Sequence, residues 1–265
     1  MKQVILDAYT ANPGDLSWQP LENFGEVEIH DRTEPSQLLE RAADAPIVMT
    51  NKVPLDAEAF ANLPKLRFVQ VLATGYNVID LDAARQHNVI VANVPGYSTE
   101  AVAQHVFALL LNIASRVALH DESVHAGQWQ SCKDFMYTKA PLIELSGKTL
   151  GIFGFGSIGQ RVGEIGHAFG MNILANKRNR DVTPDYQPFE YVDVDRLFAE
   201  SDVVTLHAPQ TPNTTGLVDA ARLATMKSSA VLINTARGGL VVEQDLADAL
   251  NRGVIAAAGV DVATQ

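Results

Sequence analysis

The stretch Gly154-Phe155-Gly156-Ser157-Ile158-Gly159, here called the glycine loop, constrains the fold of this chain more than any other feature. It follows a short apolar segment, Thr149–Phe153, and precedes a segment in which apolar residues recur at helical spacing up to Phe169. A strand, a glycine turn and a helix in this order are typical of a phosphate-binding turn, whereas the glycines alone are weak evidence. The alternative is a glycine-rich turn that binds nothing.

Each glycine has a separate expected task in such a turn. Gly154 permits the tight turn, Gly156 lets the backbone approach a pyrophosphate, and Gly159 allows close packing of helix on strand. Ser157 and Ile158 stand where the helix N-terminus presents N–H groups and a partial positive charge to phosphate. We therefore predict that a dinucleotide binds to these five residues.

Short apolar strands alternate with amphipathic helices along the whole chain, which predicts an α/β fold with parallel sheets. The predicted strands are Val4–Asp7, Val27–Ile29, Ile47–Thr50, Phe68–Leu72, Val89–Ala92, Thr149–Phe153, Asn172–Ala175, Val203–Leu206, Ala230–Asn234 and Ala256–Val260. The predicted helices include Pro35–Ala42, Leu81–His87, Ile158–Phe169, Asp195–Glu200, Asp219–Met226 and Glu243–Asn251.

A domain boundary is predicted at the segment Val94–Glu100, where Pro95 and Gly96 end a strand. This divides the chain into a domain over residues 1–98 and a second domain over residues 99–265, which includes a helical arm at 99–145. The helix from Val102 to Ile113 is apolar over a wide arc, so we expect it to be buried between domains or in a dimer interface.

Residues 116–143 lack a clean periodicity and contain the aromatic residues Trp129, Phe135 and Tyr137. We interpret them as an irregular arm that contacts a partner subunit. The alternative is that the arm folds back on its own chain.

Composition excludes several classes of partner. A net charge of −11 disfavours non-specific binding to nucleic acid or to an anionic membrane. No apolar run reaches the roughly 18 residues that a membrane span needs. Cys132 is the single cysteine, which excludes an intramolecular disulfide and favours the cytoplasm. We expect a small-molecule ligand and no metal site.

The carboxyl ends of parallel strands form the ligand-binding edge of such a sheet. NAD-specific sites usually carry an acidic residue about 20 residues past the glycines. Here Lys177 occupies that position, and Arg178 and Arg180 follow it. Because basic side chains attract a 2′-phosphate, we predict NADP(H) as the cofactor. The alternative is a solvated basic turn with NAD(H) or dual use.

Arg237 follows the apolar run AVLIN and precedes two glycines, where a cation is costly unless it is paired. We predict that it binds the carboxylate or carbonyl of a small acid; the alternative is a structural arginine.

His207 is interpreted as a structural histidine that lines the cofactor cleft rather than as an acid–base group. Asp261 is a candidate acceptor for a nicotinamide carboxamide, or else a strand-end cap. The other cofactor candidates at these strand ends are Ala208, Pro209, Pro212, Thr235 and Ala236.

Several motifs in order make the chain resemble the D-isomer-specific 2-hydroxyacid dehydrogenases. They are LATGYNVID from Leu72, VPGYSTEAVAQH from Val94, GKTLGIFGFGSIG from Gly147, LHAPQTPNTTGL from Leu206, INTARGGLV from Ile233 and AGVDV from Ala258. Within that family the chain looks most like the glycerate dehydrogenase, or hydroxypyruvate reductase, group.

The resemblance implies a Rossmann-type doubly wound dinucleotide domain, a flavodoxin-like substrate domain and a homodimer. It implies that backbone amides of Ala73, Thr74 and Gly75 hold the substrate carboxylate, that Arg237 is the catalytic residue that orients the substrate, and that Asp261 lies near the nicotinamide. The implied reaction is hydride transfer between NAD(P)H and a small 2-oxo acid such as hydroxypyruvate or glyoxylate.

The same resemblance carries one discrepancy. The family's acid–base histidine and its glutamate partner are C-terminal to AGVDV, and the glutamate falls just beyond Gln265, so we expect this sequence to be an incomplete record of a longer protein. The rival functions are a non-enzymatic dinucleotide sensor or corepressor on the same fold, and an inactive fragment.

Overall fold

The computed structural model describes residues 1–264 and divides into two compact units, Met1–Ser98 and Thr99–Gln265. Each unit has its own parallel sheet and its own apolar core, and each is described by itself below.

The first unit is built on five parallel strands: β1 (Gln3–Ile5), β2 (Val27–Ile29), β3 (Ile47–Thr50), β4 (Phe68–Val71) and β5 (Ile90–Ala92). Its helices are α1 (Ala8–Ala11), α2 (Leu38–Ala42), α3 (Ala57–Asn62) and α4 (Leu81–Gln86), with 3₁₀ turns at Gln19–Phe24 and Pro35–Gln37. The strand order β2-β1-β3-β4-β5 is that of flavodoxin-like folds. This confirms the fold that the resemblance implied for the N-terminal part.

Local chemistry explains where the longer helices of this unit begin. The Asp56 carboxylate accepts a hydrogen bond from the Ala59 N–H, and the Asp80 carboxylate accepts one from the Ala83 N–H, both at 2.9 Å. Such N-caps satisfy amide groups that the helix itself leaves unpaired. The helices α3 and α4 then cover a core that includes the fully buried Phe60.

The second unit contains the strands β6 (Thr149–Phe153), β7 (Asn172–Asn176), β8 (Phe189–Tyr191), β9 (Val203–Leu206), β10 (Val231–Asn234) and β11 (Ala257–Val260). Its helices are α5 (Thr99–Ser115), α6 (Val117–His125), α7 (Ser157–Ala168), α8 (Val194–Glu200), α9 (Ala220–Thr225) and α10 (Glu243–Asn251), with a 3₁₀ turn at Gly238–Leu240. The parallel order β11-β10-β9-β6-β7-β8 is the doubly wound Rossmann order, with its switch point between β6 and β9.

Strand β8 is absent from the sequence prediction because it is only three residues long and follows a proline. It pairs in parallel with β7. The ring of Phe155 packs on it, with ring centroids 5.2 Å from Phe189 and 5.9 Å from Tyr191. Tertiary aromatic contacts, rather than local sequence, therefore mark this edge strand.

One face of helix α5 is buried within its own unit. Ala103, Val106 and Leu110 are at most 1% exposed and belong to the same core as Ile152 of β6 and Val231 of β10. This sheet covers part of the apolar arc, while Val102, Leu109 and Leu111 are only partly buried. The expectation that the helix is buried between domains or in a dimer interface stays a prediction.

The arm differs from its prediction, since residues 117–125 form the regular helix α6. The rest is irregular and folds back locally: the hydroxyls of Ser123 and Tyr137 lie 2.8 Å apart, and the Lys139 N–H donates to His120 Nε2 at 3.3 Å. Trp129 and Phe135 remain 53% and 91% exposed. Contact with a partner subunit stays a prediction.

Within residues 1–264, no single helix is long and apolar enough to cross a membrane. One bent pair, α5 with α6 at 57°, meets the length and composition criteria together.

Candidate dinucleotide and substrate site

The first glycine of the glycine loop is required by the protein itself. Gly154 has φ +94°, and a Cβ there would lie 2.6 Å from the carbonyl carbon of His207 and 2.7 Å from the amide nitrogen of Ala208. A Cβ on Gly159 would collide with the carbonyl oxygen of Gly154. The loop from β6 therefore packs directly on the start of the loop from β9, across the switch point of the sheet.

Gly156 is different, because a Cβ there would meet no atom within 4 Å. It precedes α7 as its N-cap, with Ser157 exposed and Ile158 partly buried in the first turn. The fold does not require glycine at this position. The open space in front of the first N–H groups of α7 is suited to a phosphate group, so the residues present fit a dinucleotide.

The basic turn, residues 177–181, follows β7 and is less basic than its sequence indicates. Lys177 Nζ forms an ion pair with Asp181 Oδ1 at 2.5 Å, and this contact lowers the pKa of Asp181. The Arg180 guanidinium stacks over the ring of Tyr191 at 5.6 Å. Arg178 is exposed and makes no hydrogen bond or ion pair with any residue in the described range 1–264. Sequence reasoning missed Asp181, because only the folded turn brings its carboxylate to the Lys177 ammonium group.

His207 begins the loop after β9 and is held on both sides. Its N–H donates to the Phe153 carbonyl at 2.7 Å, and its Nε2 lies 2.8 Å from the hydroxyl of Thr205. Burial lowers the pKa of His207 to about 3. The imidazole is therefore neutral near pH 7, which fits a structural histidine better than an acid–base group.

The remainder of this loop carries Ala208, Pro209 and Pro212. The hydroxyl of Thr214 fixes its shape, donating to the Pro209 carbonyl and accepting from the Thr211 N–H, both at 2.8 Å. Pro209 and Pro212 are exposed and Ala208 is partly buried. The loop thus presents a small apolar surface next to Gly154.

Arg237 lies in a turn that Asn234 organises. The buried Asn234 side chain accepts from the Ala236 N–H at 3.1 Å and donates to the Arg237 carbonyl at 2.9 Å. The Arg237 guanidinium donates to the Ala236 carbonyl at 2.7 Å and is partly exposed. The sequence predicted the arginine but not the asparagine, because only the folded turn brings its amide against both groups.

Thr235 and Asp261 line one pocket of about 210 Å³ together with Ala101, Val102 and His105. The Asp261 side chain is 51% exposed, and its Oδ1 lies 3.2 Å from His105 Nε2. The Thr235 hydroxyl is buried and has no hydrogen-bond partner among residues 1–264. His105 was not among the predicted site residues, since nothing in the sequence places α5 at this strand edge.

In the first unit, residues 73–75 follow β4 as an extended turn. The Thr74 hydroxyl donates to the Val94 carbonyl at 3.0 Å, Asn93 donates to the Thr74 carbonyl at 2.8 Å, and the Ala73 carbonyl accepts from the Val94 N–H at 3.1 Å. The N–H groups of Ala73, Thr74 and Gly75 donate no hydrogen bond to any residue in 1–264. They are therefore available to an anion.

A separate cavity of about 590 Å³ lies in the first unit at the ends of β1, β2 and β3. Its charged lining includes Asp7, Arg32, Glu34 and Lys52. The Asp7 carboxylate already accepts from the Asn51 N–H at 2.8 Å and the Lys52 N–H at 2.5 Å. No predicted site residue lines this cavity.

A family model described as "D-isomer specific 2-hydroxyacid dehydrogenase, NAD binding domain" matches residues 107–265. The chain is 46% identical to a hydroxypyruvate reductase of Blautia hydrogenotrophica over 265 residues, which are 99% of this chain and 82% of that relative. It belongs to the D-isomer specific 2-hydroxyacid dehydrogenase family.

Two further relatives of this dehydrogenase are a glycerate dehydrogenase of Methylorubrum extorquens and a glyoxylate reductase of Aeropyrum pernix. The first is 40% identical over 231 residues, 87% of this chain and 71% of the relative. The second is 38% identical over 248 residues, 91% of this chain and 74% of the relative. These alignments give no support of their own to the expected C-terminal truncation, which stays a prediction.

Solved structures agree with the fold. A D-lactate dehydrogenase of Aquifex aeolicus, complexed with NAD and lactic acid, superposes with a TM-score of 0.86 at 28% identity, covering 100% of this chain and 78% of the other. An acyclic imino acid reductase in complex with NADPH and D-Arg superposes with a TM-score of 0.88 at 29% identity, covering 100% and 84%.

The family therefore makes this protein an oxidoreductase that couples a nicotinamide dinucleotide to the interconversion of 2-oxo and D-2-hydroxy acids. The comparisons give no support to the sensor or corepressor alternative.

Proposed function

We propose that this dehydrogenase reduces a small, unphosphorylated 2-oxo acid, of which hydroxypyruvate and glyoxylate are the candidates. The names of the three relatives support this substrate class. The carboxylate would bind the free N–H groups of Ala73, Thr74 and Gly75, and the oxo group would bind the guanidinium of Arg237. The turn held by Asn234 is the observation that supports the role of Arg237, because it fixes the backbone from which the guanidinium extends.

The reaction divides between cofactor and protein. A bound dihydronicotinamide supplies the hydride, and the protein orients the acceptor and stabilises charge on its oxygen. Arg237 would bear the developing negative charge on the substrate oxygen. Burial lowers the pKa of His207 to about 3, so we do not assign it the proton of the product hydroxyl, which another acid would supply.

The proposed cofactor preference is for NADP(H) over NAD(H). Arg178 supports it, because an exposed guanidinium can meet a 2′-phosphate with two parallel hydrogen bonds. Lys177 contributes less than its charge indicates, because Asp181 holds its ammonium group. The expected preference is therefore moderate.

A steady-state assay of NADPH and NADH against a panel of 2-oxo acids tests these proposals. We expect the highest kcat/KM with hydroxypyruvate or glyoxylate, a lower value with their phosphorylated analogue, and a preference for NADPH of about tenfold. A preference for NADH would contradict the assignment of Lys177 and Arg178. Absence of turnover with every 2-oxo acid would contradict the proposed function.

Arg237→Ala tests the catalytic assignment. We expect kcat/KM to fall by about 10²-fold or more, the effect of removing one donor to a developing oxyanion. Arg252→Ala is a matched control, because Arg252 is exposed at the end of α10 and lies outside the site. Near-normal activity in Arg237→Ala would refute the assignment.

We also propose that the protein is a homodimer that uses the arm. Trp129, Phe135 and Met136 expose apolar side chains there, which supports burial against a second copy. Sedimentation velocity should show a dimer that dissociates in Phe135→Asp. A monomer in the unaltered protein would contradict this proposal.

A further inference from the structure

The pocket at the ends of β10 and β11 contains a contact that the proposed reaction leaves unused. His105, on α5, lies with its Nε2 3.2 Å from Oδ1 of Asp261, and both side chains are about half exposed. The backbone of Asp261 is fixed separately, since its N–H donates to the Asn234 carbonyl at 3.0 Å. The backbone contact does not fix the side-chain rotamer of Asp261, so the orientation of its carboxylate depends on side-chain contacts such as that with His105.

A second, independent observation in the same pocket indicates a polar ligand. The Thr235 hydroxyl is buried and has no partner among residues 1–264. Leaving such a group unsatisfied costs free energy, so an acceptor or donor from a ligand is expected to meet it. The pocket thus offers a carboxylate that can only accept and a hydroxyl that can donate.

A primary carboxamide matches this pair, because its NH₂ group donates and its carbonyl accepts. We propose that His105 is a positioning residue, which holds the Asp261 carboxylate so that it and the Thr235 hydroxyl bind the carboxamide of the nicotinamide ring. This inference rests on the proposed dinucleotide function of the site. His105 acts through Asp261 and does not itself touch the ring.

The consequence is specific to one end of the cofactor. His105 should affect the affinity for a dinucleotide that carries a carboxamide, and it should not affect the adenosine and phosphate half. A residue that merely stabilised α5 would change the binding of both halves alike.

The experiment measures the dissociation constants of NADPH, NADH, ADP-ribose and the reduced 3-acetylpyridine analogue of NADH, whose ring substituent lacks the NH₂ group. The variants are His105→Leu, which removes the contact, and His105→Gln, whose side-chain amide can donate to Asp261 from a similar position. His125→Leu is the matched control, because His125 faces Asp121 in a comparable exposed pair at 3.4 Å on α6, outside this pocket.

We expect His105→Leu to weaken NADH and NADPH binding by about three- to fivefold, the range of a partly exposed contact between two polar side chains. ADP-ribose binding should not change, and the loss for the acetylpyridine analogue should be smaller. His105→Gln should restore most of the NADH affinity, and His125→Leu should match the unaltered protein. Unchanged ADP-ribose binding on the same sample shows that His105→Leu is folded, so a folding defect is distinguished from loss of the contact.

Two results would overturn the role of His105 and leave the proposed function intact. They are unchanged NADH binding in His105→Leu, or an equal loss of affinity for NADH and ADP-ribose. No rescue by His105→Gln in a folded protein would also count against it. If the unaltered protein bound none of these nucleotides, the proposed function would fail and the inference with it, and the two failures are therefore distinguishable.

Discussion

The glycine loop after β6 and the basic turn after β7 stand on neighbouring strands, yet different kinds of contact hold them. Gly154 lies against the backbone of His207 and Ala208, in a conformation that side chains rarely adopt. The basic turn is held at its ends by an exposed ion pair, Lys177 with Asp181. Backbone packing tolerates no added atom, whereas exposed charges rearrange at little cost. A side chain at Gly154 should therefore impair folding as well as binding, whereas changes in the turn should affect cofactor choice alone.

The largest expected effect is that of Gly154→Ala. The positive φ and a Cβ 2.6 Å from the backbone of His207 should together lower the free energy of unfolding by about 3–5 kcal/mol. Denaturant unfolding measures this value. Gly156→Ala is the matched control, since its Cβ meets open space: it should change stability by less than about 1 kcal/mol and still weaken dinucleotide binding. Equal stability of the two variants would remove the distinction between these positions.

A pH series gives the next largest effect and concerns the histidine that packs on the loop. Because burial lowers the pKa of His207 from 6.5 to about 3, between these values the unfolded chain binds a proton that the folded protein does not. The free energy of unfolding should thus decrease as the pH falls, by about 2 kcal/mol between pH 6.5 and pH 4.5. Urea unfolding of the unaltered protein and of His207→Gln measures this effect. The difference between the two proteins gives the pH dependence that His207 causes, because the contribution of the acidic residues is the same in both. Parallel curves for the two proteins would contradict it.

The same contrast explains what the sequence could predict. The glycine loop, the strands β6 and β9 and the alternation of strands and helices follow from local patterns: glycines that relieve backbone contacts, and apolar runs that become buried strands. Lys177 and Arg178 were found from their distance to the glycines. Each of these signals lies within one short segment of chain.

The features that the sequence did not predict depend on contacts between segments. Strand β8 is defined by the packing of Phe155 on its two aromatic residues. The pair of His105 with Asp261 joins α5 to the end of β11, and residues so far apart meet only through the strand order and the packing of α5. No local pattern contains that information, so these contacts required the structure.

Arg178→Ala tests the other side of the comparison. Removal of a guanidinium that meets no other residue in 1–264 should leave stability unchanged, and it should lower kcat/KM with NADPH by about tenfold and with NADH by less than about twofold. Arg180→Ala is the matched control in the same turn. The Arg180 guanidinium stacks on the ring of Tyr191, so its removal should change kcat/KM with NADPH less than removal of Arg178 does. An equal loss of kcat/KM with NADPH and NADH would show that Arg178 contacts a part of the dinucleotide other than the 2′-phosphate.

The smallest expected effect is that of Asp181→Asn, and it is the sharpest test of the turn. The carboxylate of Asp181 both occupies Lys177 Nζ and repels a nearby phosphate, so its neutralisation should release the ammonium group for the 2′-phosphate. The ratio of kcat/KM for NADPH to that for NADH should rise by about threefold, and more at low ionic strength than at high, because the charges are exposed. Asp185→Asn, a neutralisation four residues further along the same exposed segment, should leave the ratio near its starting value. A fall in the ratio for Asp181→Asn would mean that the ion pair presents Lys177 to the phosphate rather than withholding it, and the turn would then be a preorganised part of the site, like the glycine loop beside it.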